Sequence, residues 1–238
     1  MSPPTLYQRI QQIDSQAHAA LLPTNTPLAT ALSHALTNSA AQGLPPITIS
    51  PLQGQYLAIQ AQLISARRVL EVGTLGGYSS IWFASSGAHV TSLEIDAHHC
   101  AVAVENVQRA GYSDSVDIVL GDAMDTLPRL AAAAAGAADG KDSQGLFDLV
   151  FIDADWDMQV EYFAWAVQLV RPGGCIYVDN AVRAALEQGA AKETLVDRVG
   201  GMEGVQATLV SVVSGHKGRE EQMFDGFLLA IVKEKGGA

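Results

Sequence analysis

The sequence predicts an α/β fold with a doubly wound, mostly parallel sheet. From Arg67 onward, short apolar segments typical of strands alternate with amphipathic segments typical of helices. A glycine-rich turn (73–77) follows the first strand, and polar residues follow the next four. The 238 residues, 48% of them hydrophobic, suffice for one core. We expect a single domain over 1–238, in which 1–50 form a helical extension and 51–238 the α/β core.

The first part of the chain predicts helices. The apolar spacing in residues 1–43 is that of two amphipathic helices, the second of which follows Pro27. The segment Gly43–Pro46 ends this part, because proline cannot continue a helix and restricts the residue before it. A third helix is predicted to begin at Pro51, since proline is favoured in the first turn, and to run through Leu63.

Seven strands are predicted in all. They are Arg67–Val72, His89–Glu94, Val116–Leu120, Leu146–Ile152, Cys175–Val178, Val205–Val213 and Phe227–Val232. The helices predicted between the first five are Tyr78–Ser86, Ala97–Ala110, Thr126–Ala135 and Asp157–Val170. We expect the last two strands to pair antiparallel at the sheet edge. Residues 131–145 predict a helix that runs into an exposed loop.

Charge and cysteine content restrict the kind of partner. The formal net charge is -11, from 25 acidic and 14 basic residues. This disfavours nucleic acid and anionic membranes, which are bound through basic faces. Cys100 and Cys175 lie in separate elements, so no disulfide is expected. With no apolar run of membrane-spanning length and no secretory apolar run at the N-terminus, we expect a cytoplasmic protein that acts on a small molecule.

The glycine-rich turn is the first of three ligand signals. It lies at the carboxyl end of a strand, where ligands bind in open α/β sheets. Its spacing is not the G-x-G-x-x-G of dinucleotide-binding proteins, which disfavours a nicotinamide cofactor. Glu71 precedes Gly73 and could receive an ammonium group where a pyrophosphate would be poorly placed. A purely structural turn is the alternative.

Two further signals follow the second and third strands. Glu94 lies 21 residues after Gly73 and could accept hydrogen bonds from both hydroxyls of a ribose. The segment Gly121–Ala123 is placed to contact an adenine ring. Alone, Glu94 could equally be a solvated acid at a strand end. Together the three strand ends describe a ligand made of adenosine and an amino acid.

Carboxylates and an amide follow the fourth and fifth strands. Asp153 ends the fourth strand, and Asp179 with Asn180 ends the fifth. Because adjacent parallel strands end at the same edge, these side chains are expected to meet there. Two carboxylates and an amide oxygen suit a hard cation such as Mg²⁺. Alternatively, these residues only cap the elements that follow.

With these motifs, the sequence resembles the metal-dependent O-methyltransferase family that includes catechol and caffeoyl-CoA O-methyltransferases, and most of all its microbial small-molecule members. The similarity is continuous over residues 43–180 and looser in the tail. The segments that carry it are Gly43–Pro46, Ser50–Gly54, Leu70–Ser80, Ser92–Asp96, Gly121–Pro128, Phe147–Asp155, Leu169–Asn180 and Lys217–Leu228.

The resemblance implies a cofactor, a metal and roles for named residues. The cofactor would be S-adenosylmethionine, contacted by Glu71, Gly73, Ser79, Glu94 and Ala123, with Asp122 beside the adenine. A divalent metal, Mg²⁺ above all, would be held by Asp153, Asp179 and Asn180. The metal would hold a catechol-like or phenolic acceptor and lower the pKa of its attacking hydroxyl. The N-terminal helices would cap the pocket or form a homodimer interface, as in many members.

The chain departs from the family at one position. The family pattern Asp-Ala-Asp-Lys supplies a lysine as the proposed base, and Trp156 stands at that position. Tryptophan cannot take a proton, so Asp153, Asp155, His216 and Lys217 are the candidates to replace it. We assign the catalytic role to Asp153 and contact with the acceptor to Asp155 and Trp156, whose indole could stack on an aromatic ring.

Several alternatives stay open. Trp156 could merely pack the loop, and the segment 214–226 could overhang the pocket or form a solvated hairpin loop. A metal-independent methyltransferase, or an enzyme that uses S-adenosylmethionine for another reaction, would account for the missing lysine. A non-catalytic binding protein on the same scaffold is a third hypothesis, because fold does not fix function.

Overall fold

A computed structural model describes residues 3–136, 145–188, 194–216, 218, 220 and 223–233. It contains one seven-stranded sheet, and the fold-class prediction is confirmed. The strands are β1 (Arg68–Val72), β2 (His89–Glu94), β3 (Val116–Leu120), β4 (Phe147–Ile152), β5 (Val170–Val178), β6 (Val205–Val213) and β7 (Phe224–Val232).

Helices precede the sheet and connect most of its strands. They are α1 (Leu6–Leu21), α2 (Pro27–Ala41), α3 (Pro51–Leu63), α4 (Tyr78–Ser85), α5 (Ala97–Arg109), α6 (Ala123–Gly136), α7 (Gln159–Leu169), α8 (Ala181–Gln188) and α9 (Leu195–Gly200), with a short 3₁₀ helix at Trp156–Met158. The first three begin at side-chain caps, because hydroxyls of Thr5, Thr26 and Ser50 accept hydrogen bonds from first-turn amides. None of the helices in the described ranges is both long and apolar enough to cross a membrane.

The strand order places the ligand-binding edge. The order across the sheet is β3-β2-β1-β4-β5-β7-β6, and the first five strands are mutually parallel. β7 runs antiparallel to both β5 and β6, as predicted for the tail. The strand order reverses between β1 and β4, so their carboxyl ends flank the crevice where open α/β sheets bind ligands.

Apolar side chains fill both faces of the sheet. One core cluster joins the sheet to α2, α3, α4 and α5, and contains the fully buried Leu57, Ile81 and Phe83. The other joins it to α6, α7, α8 and α9, around Phe163 and Leu169. Helices on both faces leave the strand ends as the accessible polar edge.

The N-terminal helices are attached to the core in different ways. The buried side chain of Asn106 on α5 accepts a hydrogen bond from Asn38 on α2 (2.9 Å) and donates one to the carbonyl of Gly76 in the glycine-rich turn (2.9 Å). A Cβ on Gly76 would lie 2.1 Å from the Ser39 hydroxyl, so α2 packs directly behind that turn. In contrast, no residue of α1 is buried.

The structure corrects the predicted limits of several elements. β5 begins at Val170 rather than Cys175: Val170 pairs with Phe147, Cys175 pairs with Leu149, and the proline-glycine segment between them bulges out of the ladder. α8 and α9 were not predicted, and α6 begins three residues earlier than expected. Cys100 and Cys175 are free thiols, as predicted. Most of the predicted loop, residues 137–144, lies outside the described residues.

Candidate active site

A cavity of about 930 Å³ opens beyond the carboxyl ends of β1 to β5. Five of the six residues predicted to contact the cofactor line it: Gly73, Ser79, Glu94, Asp122 and Ala123. The predicted metal ligands Asp153 and Asn180 and the predicted acceptor contacts Asp155 and Trp156 line the same cavity. The structure thus brings the two groups of candidate residues to one space.

The glycine-rich turn forms one wall and approaches the neighbouring strand end very closely. Gly73 has φ +97°, and a Cβ at this position would lie 2.1 Å from the backbone oxygen of Asp153. Leu75 also has a left-handed conformation, with φ +50°. A side chain at residue 73 would separate the ends of β1 and β4, so the turn requires glycine there.

Glu94 connects the end of β2 to this turn. Its Oε2 accepts hydrogen bonds from the backbone amides of Thr74 (3.2 Å) and Leu75 (2.7 Å). Its Oε1 accepts from the amide of Asp96 (2.9 Å). The carboxylate is 6% exposed and lines the cavity, and Nδ1 of His99 lies 3.7 Å from its Oε1.

Glu71 does not line the cavity but lies beneath it. Its side chain is fully buried, and its Oε2 accepts hydrogen bonds from the hydroxyls of Ser80 and Ser92. Burial raises the pKa of Glu71 above its ordinary value, and the hydroxyls of Ser79, Ser80 and Ser92 oppose the rise. Its Oε1 is buried and has no hydrogen-bond partner among the residues that the structure describes. An unpaired buried carboxylate oxygen is costly, and a cationic group of a ligand would compensate it.

The loop after β3 completes the cofactor side. Gly121 leads into Asp122, whose Oδ1 accepts a hydrogen bond from the amide of Met124 (2.7 Å), and α6 begins at Ala123. Met124 and Tyr162 line the cavity here together with Asp122 and Ala123. Their mixed apolar and polar surface suits a flat heterocycle such as adenine.

The predicted metal ligands meet at the ends of β4 and β5. Backbone hydrogen bonds continue one residue past the strands. The amide of Asp153 donates to the carbonyl of Val72 (2.9 Å), and the amide of Asp179 donates to the carbonyl of Ile152 (2.8 Å). Asp179 is 7% exposed, and its Oδ1 accepts a hydrogen bond from Nε2 of Gln53 (2.7 Å). The three neighbouring strand ends are therefore held in register.

Negative charge accumulates at the ends of β4 and β5, around Asp153, Asp179 and Asn180, which we call the acidic rim. Burial, together with the charges of Asp153 and Asp225, raises the pKa of Asp179 well above its ordinary value. Buried carboxylates that repel one another are stabilised by a cation, so the donor set fits a divalent metal. No group of three or more His, Cys, Asp or Glu side chains in the described part of the chain forms a metal cluster by itself, and the amide of Asn180 would have to be the third ligand.

Asn180 is oriented from both ends of its amide. Its backbone has φ +54°, and its Nδ2 donates to Oδ2 of Asp225 (2.8 Å). Its Oδ1 accepts a weak hydrogen bond from Nε1 of Trp156 (3.4 Å). The indole of Trp156 therefore reaches the position where the amide oxygen would bind a metal, and the guanidinium of Arg183 lies 5.6 Å from the centre of its ring.

The other candidates for the missing base are distributed differently. Asp155 accepts a hydrogen bond from the amide of Asp157 (3.1 Å) and so caps the 3₁₀ helix at the cavity wall. His216 lines a second, smaller cavity. Lys217 lies outside the described residues.

Sequence reasoning missed Gln53 and Asp225, which hold Asp179 and Asn180 in place. Gln53 follows Ser50 and Pro51 at the start of α3, and Asp225 precedes Gly226 in the tail. Neither lies at the carboxyl end of a parallel strand, which was the signal used to find the others. Only the packing of α3 and β7 against the rim reveals them.

The sequence and the fold of this chain are similar to those of known O-methyltransferases. Residues 25–197 match the O-methyltransferase family. The chain is 43% identical over 214 residues to a catechol O-methyltransferase of Mycobacterium tuberculosis, covering 85% of this chain and 89% of that protein. It is 40% identical over 207 residues to a catechol O-methyltransferase of Niastella koreensis, covering 84% and 89%. A crystal structure of an O-methyltransferase from Bacillus cereus in complex with SAH superposes with a TM-score of 0.80 at 31% identity, covering 96% of this chain and 100% of that one.

The chain therefore belongs to the O-methyltransferase family. The predicted resemblance is confirmed, and so is the prediction of an S-adenosylmethionine-dependent O-methyltransferase.

Proposed function

We propose that this member of the O-methyltransferase family transfers the methyl group of S-adenosylmethionine to one hydroxyl of a small catechol-like acceptor, which a divalent cation at Asp153, Asp179 and Asn180 holds. One observation carries the proposal. The turn that faces the donor and the acidic rim are in contact, because the backbone of Asp153 lies against Gly73. A donor on the turn and an acceptor at the rim are adjacent, as methyl transfer requires.

On the donor side, the chain's own groups bind and orient. Glu94 accepts hydrogen bonds from the ribose hydroxyls while its bonds to two turn amides hold it rigid. Glu71, which lies beneath the cavity, pairs its Oε1 with the ammonium group of the cofactor. When bound, S-adenosylmethionine supplies a methyl group on a positively charged sulfur, which already activates it toward a nucleophile.

On the acceptor side, the rim positions a hydroxyl and receives its proton. When bound, a divalent cation supplies the Lewis acidity that lowers the pKa of a neighbouring hydroxyl. Since Trp156 replaces the family's lysine, the proton passes to a carboxylate, and we assign this to Asp153. Trp156, whose N–H is directed to Asn180, contacts the hydroxyl end of the acceptor from the side of the large cavity.

The proposed role of Glu94 is tested by Glu94→Gln. In glutamine an NH₂ group replaces one of the oxygens that face backbone amides, and an acceptor for a ribose hydroxyl is lost. We expect affinity for S-adenosylhomocysteine to fall by about tenfold or more, since hydrogen bonds to charged groups contribute roughly 1.5–3 kcal/mol. Calorimetric titration measures this. Asp117→Asn, which neutralises an exposed acid on β3, is the matched control and should leave the affinity unchanged.

The proposed metal is tested by chelation. We expect EDTA to lower methyl transfer to catechol by roughly 100-fold or more, because Lewis-acid activation contributes several kcal/mol. Added Mg²⁺ should restore it. The assay follows methylated catechol by mass spectrometry, with cofactor affinity as the control that chelation should not change. Activity that persists in EDTA would contradict the metal requirement.

One contact favours a second candidate function, metal-independent methyl transfer. The indole N–H of Trp156 donates a weak hydrogen bond to Oδ1 of Asn180, the atom through which this residue would bind a metal. In that case transfer would be insensitive to EDTA, and the rim carboxylates would act only as acceptors of protons and hydrogen bonds. The chelation experiment separates the two candidates.

A further inference from the structure

A second cavity, of about 310 Å³, lies on the other side of the acidic rim. It shares Asn180 with the large cavity and is also lined by Asp179. Tyr56, Tyr177 and Phe227 form an aromatic wall, in which the rings of Tyr177 and Phe227 stack with centroids 4.3 Å apart. Its volume is at the lower end of the range of ligand pockets, and its wall suits one flat ring.

Asp14 of α1 and residues of the β6–β7 connection line this cavity away from the rim. Val212 on β6 pairs with Asp225 on β7, whose side chain contacts Asn180. Two residues further along the chain, the amide of Ser214 donates a hydrogen bond to the carbonyl of Met223. At this end of β6, Oδ2 of Asp14 on α1 accepts hydrogen bonds from the Ser214 hydroxyl (3.0 Å) and from the amide of Gly215 (2.6 Å). We call these two bonds the Asp14 clasp.

The clasp adds to a limited attachment of α1. No residue of α1 is fully buried, although Tyr7, Ile10 and Ala17 are half-buried, and Gln55 of α3 donates a hydrogen bond to the carbonyl of Leu21 (3.1 Å). The approach at the clasp is close, since a Cβ on Gly215 would lie 2.6 Å from the side chain and 3.2 Å from the Cα of Gln11. Both hydrogen bonds involve a charged acceptor and are partly buried, which makes them stronger than ordinary surface bonds.

We propose that Asp14 is a positioning residue that determines acceptor specificity: its clasp closes the second cavity over the aromatic body of the acceptor and limits the acceptor to a single substituted ring. This rests on the proposed function, because it places the acceptor hydroxyl at the rim and the rest of the molecule in the second cavity. Asp14 acts through the position of α1 and the hairpin and contacts no reacting atom.

Kinetics with two acceptors test the proposal: catechol, and a catechol that carries a second aromatic ring. In Asp14→Ala, we expect KM for catechol to rise about tenfold with kcat changed far less, because the wall of the second cavity loses the two bonds that position it. The preference for catechol over the two-ring acceptor, measured as the ratio of kcat/KM values, should fall by about the same factor or more. Asp14→Asn should restore most of both, because one amide oxygen can accept both hydrogen bonds.

Controls separate positioning from general damage. Ser15→Ala changes the adjacent exposed residue of α1 and should behave like the wild type. Affinity for S-adenosylhomocysteine should be unchanged in Asp14→Ala, while the melting temperature should fall by about a few degrees with the loss of the two hydrogen bonds. An unchanged KM and acceptor preference would overturn the proposal, and so would joint loss of cofactor affinity and thermal stability. If the wild type binds cofactor but methylates neither acceptor, the proposed function fails and this inference with it. If the wild type methylates catechol and Asp14→Ala has the same KM and acceptor preference, only the proposed role of the clasp is refuted.

Discussion

Asp179→Asn is expected to lower methyl transfer by roughly 100-fold or more, because it removes one of two carboxylates from the proposed metal site. The change is close to isosteric, and asparagine keeps an oxygen that can accept the hydrogen bond from Gln53. Cofactor affinity should be retained, since Asp179 does not line the large cavity. Turnover of catechol at saturating Mg²⁺ and calorimetric titration with S-adenosylhomocysteine measure the two effects.

The same substitution is expected to stabilise the metal-free protein. The pKa of Asp179 is raised by burial and by the charges of Asp153 and Asp225. A carboxyl whose folded-state pKa exceeds its unfolded value reduces stability above the folded pKa, and this penalty is lost as the pH falls toward the unfolded value. In EDTA, Asp179→Asn should therefore melt above the wild type at neutral pH, and the difference should shrink as the pH is lowered.

Asp148→Asn provides the matched control at the opposite end of β4. Burial acts to raise the pKa of Asp148, but hydrogen bonds from the Arg171 guanidinium and the amides of Arg67 and Arg68 outweigh it and hold the pKa below its ordinary value. Neutralising this acid should lower stability at neutral pH and leave the activity of the folded protein intact. If Asp179→Asn and Asp148→Asn behaved alike, Asp179 would have no special role in function.

Gly73→Ala is expected to cause the largest loss of structure at the site. Alanine would adopt a left-handed conformation at a cost of about 1–2 kcal/mol, and its Cβ would also overlap the backbone oxygen of Asp153. We expect about 3–5 kcal/mol of destabilisation in total, with loss of measurable cofactor binding. Denaturant unfolding and titration with S-adenosylhomocysteine measure these effects.

Gly87→Ala isolates the conformational part of that effect. Gly87 has φ +92°, and a Cβ there would meet nothing within 4 Å. It should therefore lose only about 1–2 kcal/mol and keep its cofactor affinity. Equal effects at the two glycines would mean that the close approach between β1 and β4 is unimportant.

Much of the fold and of the large cavity could be predicted because strand ends carry their own signal. Glu94, Asp153 and Asp179 each end a buried apolar run, and parallel strands bring such ends to one edge. The same reasoning places Glu71 near the ligand but cannot show that its side chain points beneath the cavity. Side-chain direction at a strand end depends on the tertiary packing.

What the sequence could not predict depends on contacts between distant segments. Gln53 reaches Asp179 across 126 residues, and Asp14 reaches Gly215 across 201. No local pattern encodes such pairs. The predicted start of β5 was wrong because proline and glycine normally end an element, whereas here they form a bulge within the strand.

The different attachments of α1 and α2 have a consequence for how this enzyme can diversify. Through Asn106, α2 supports the turn on the donor side, so its contact residues are constrained by a cofactor that does not vary. Of the residues of α1, only Asp14 lines either of the two cavities described above, and it lines the second. Under the proposed role of Asp14, substitutions in residues 6–21 would change which alcohol is methylated and leave the methyl-donor site intact.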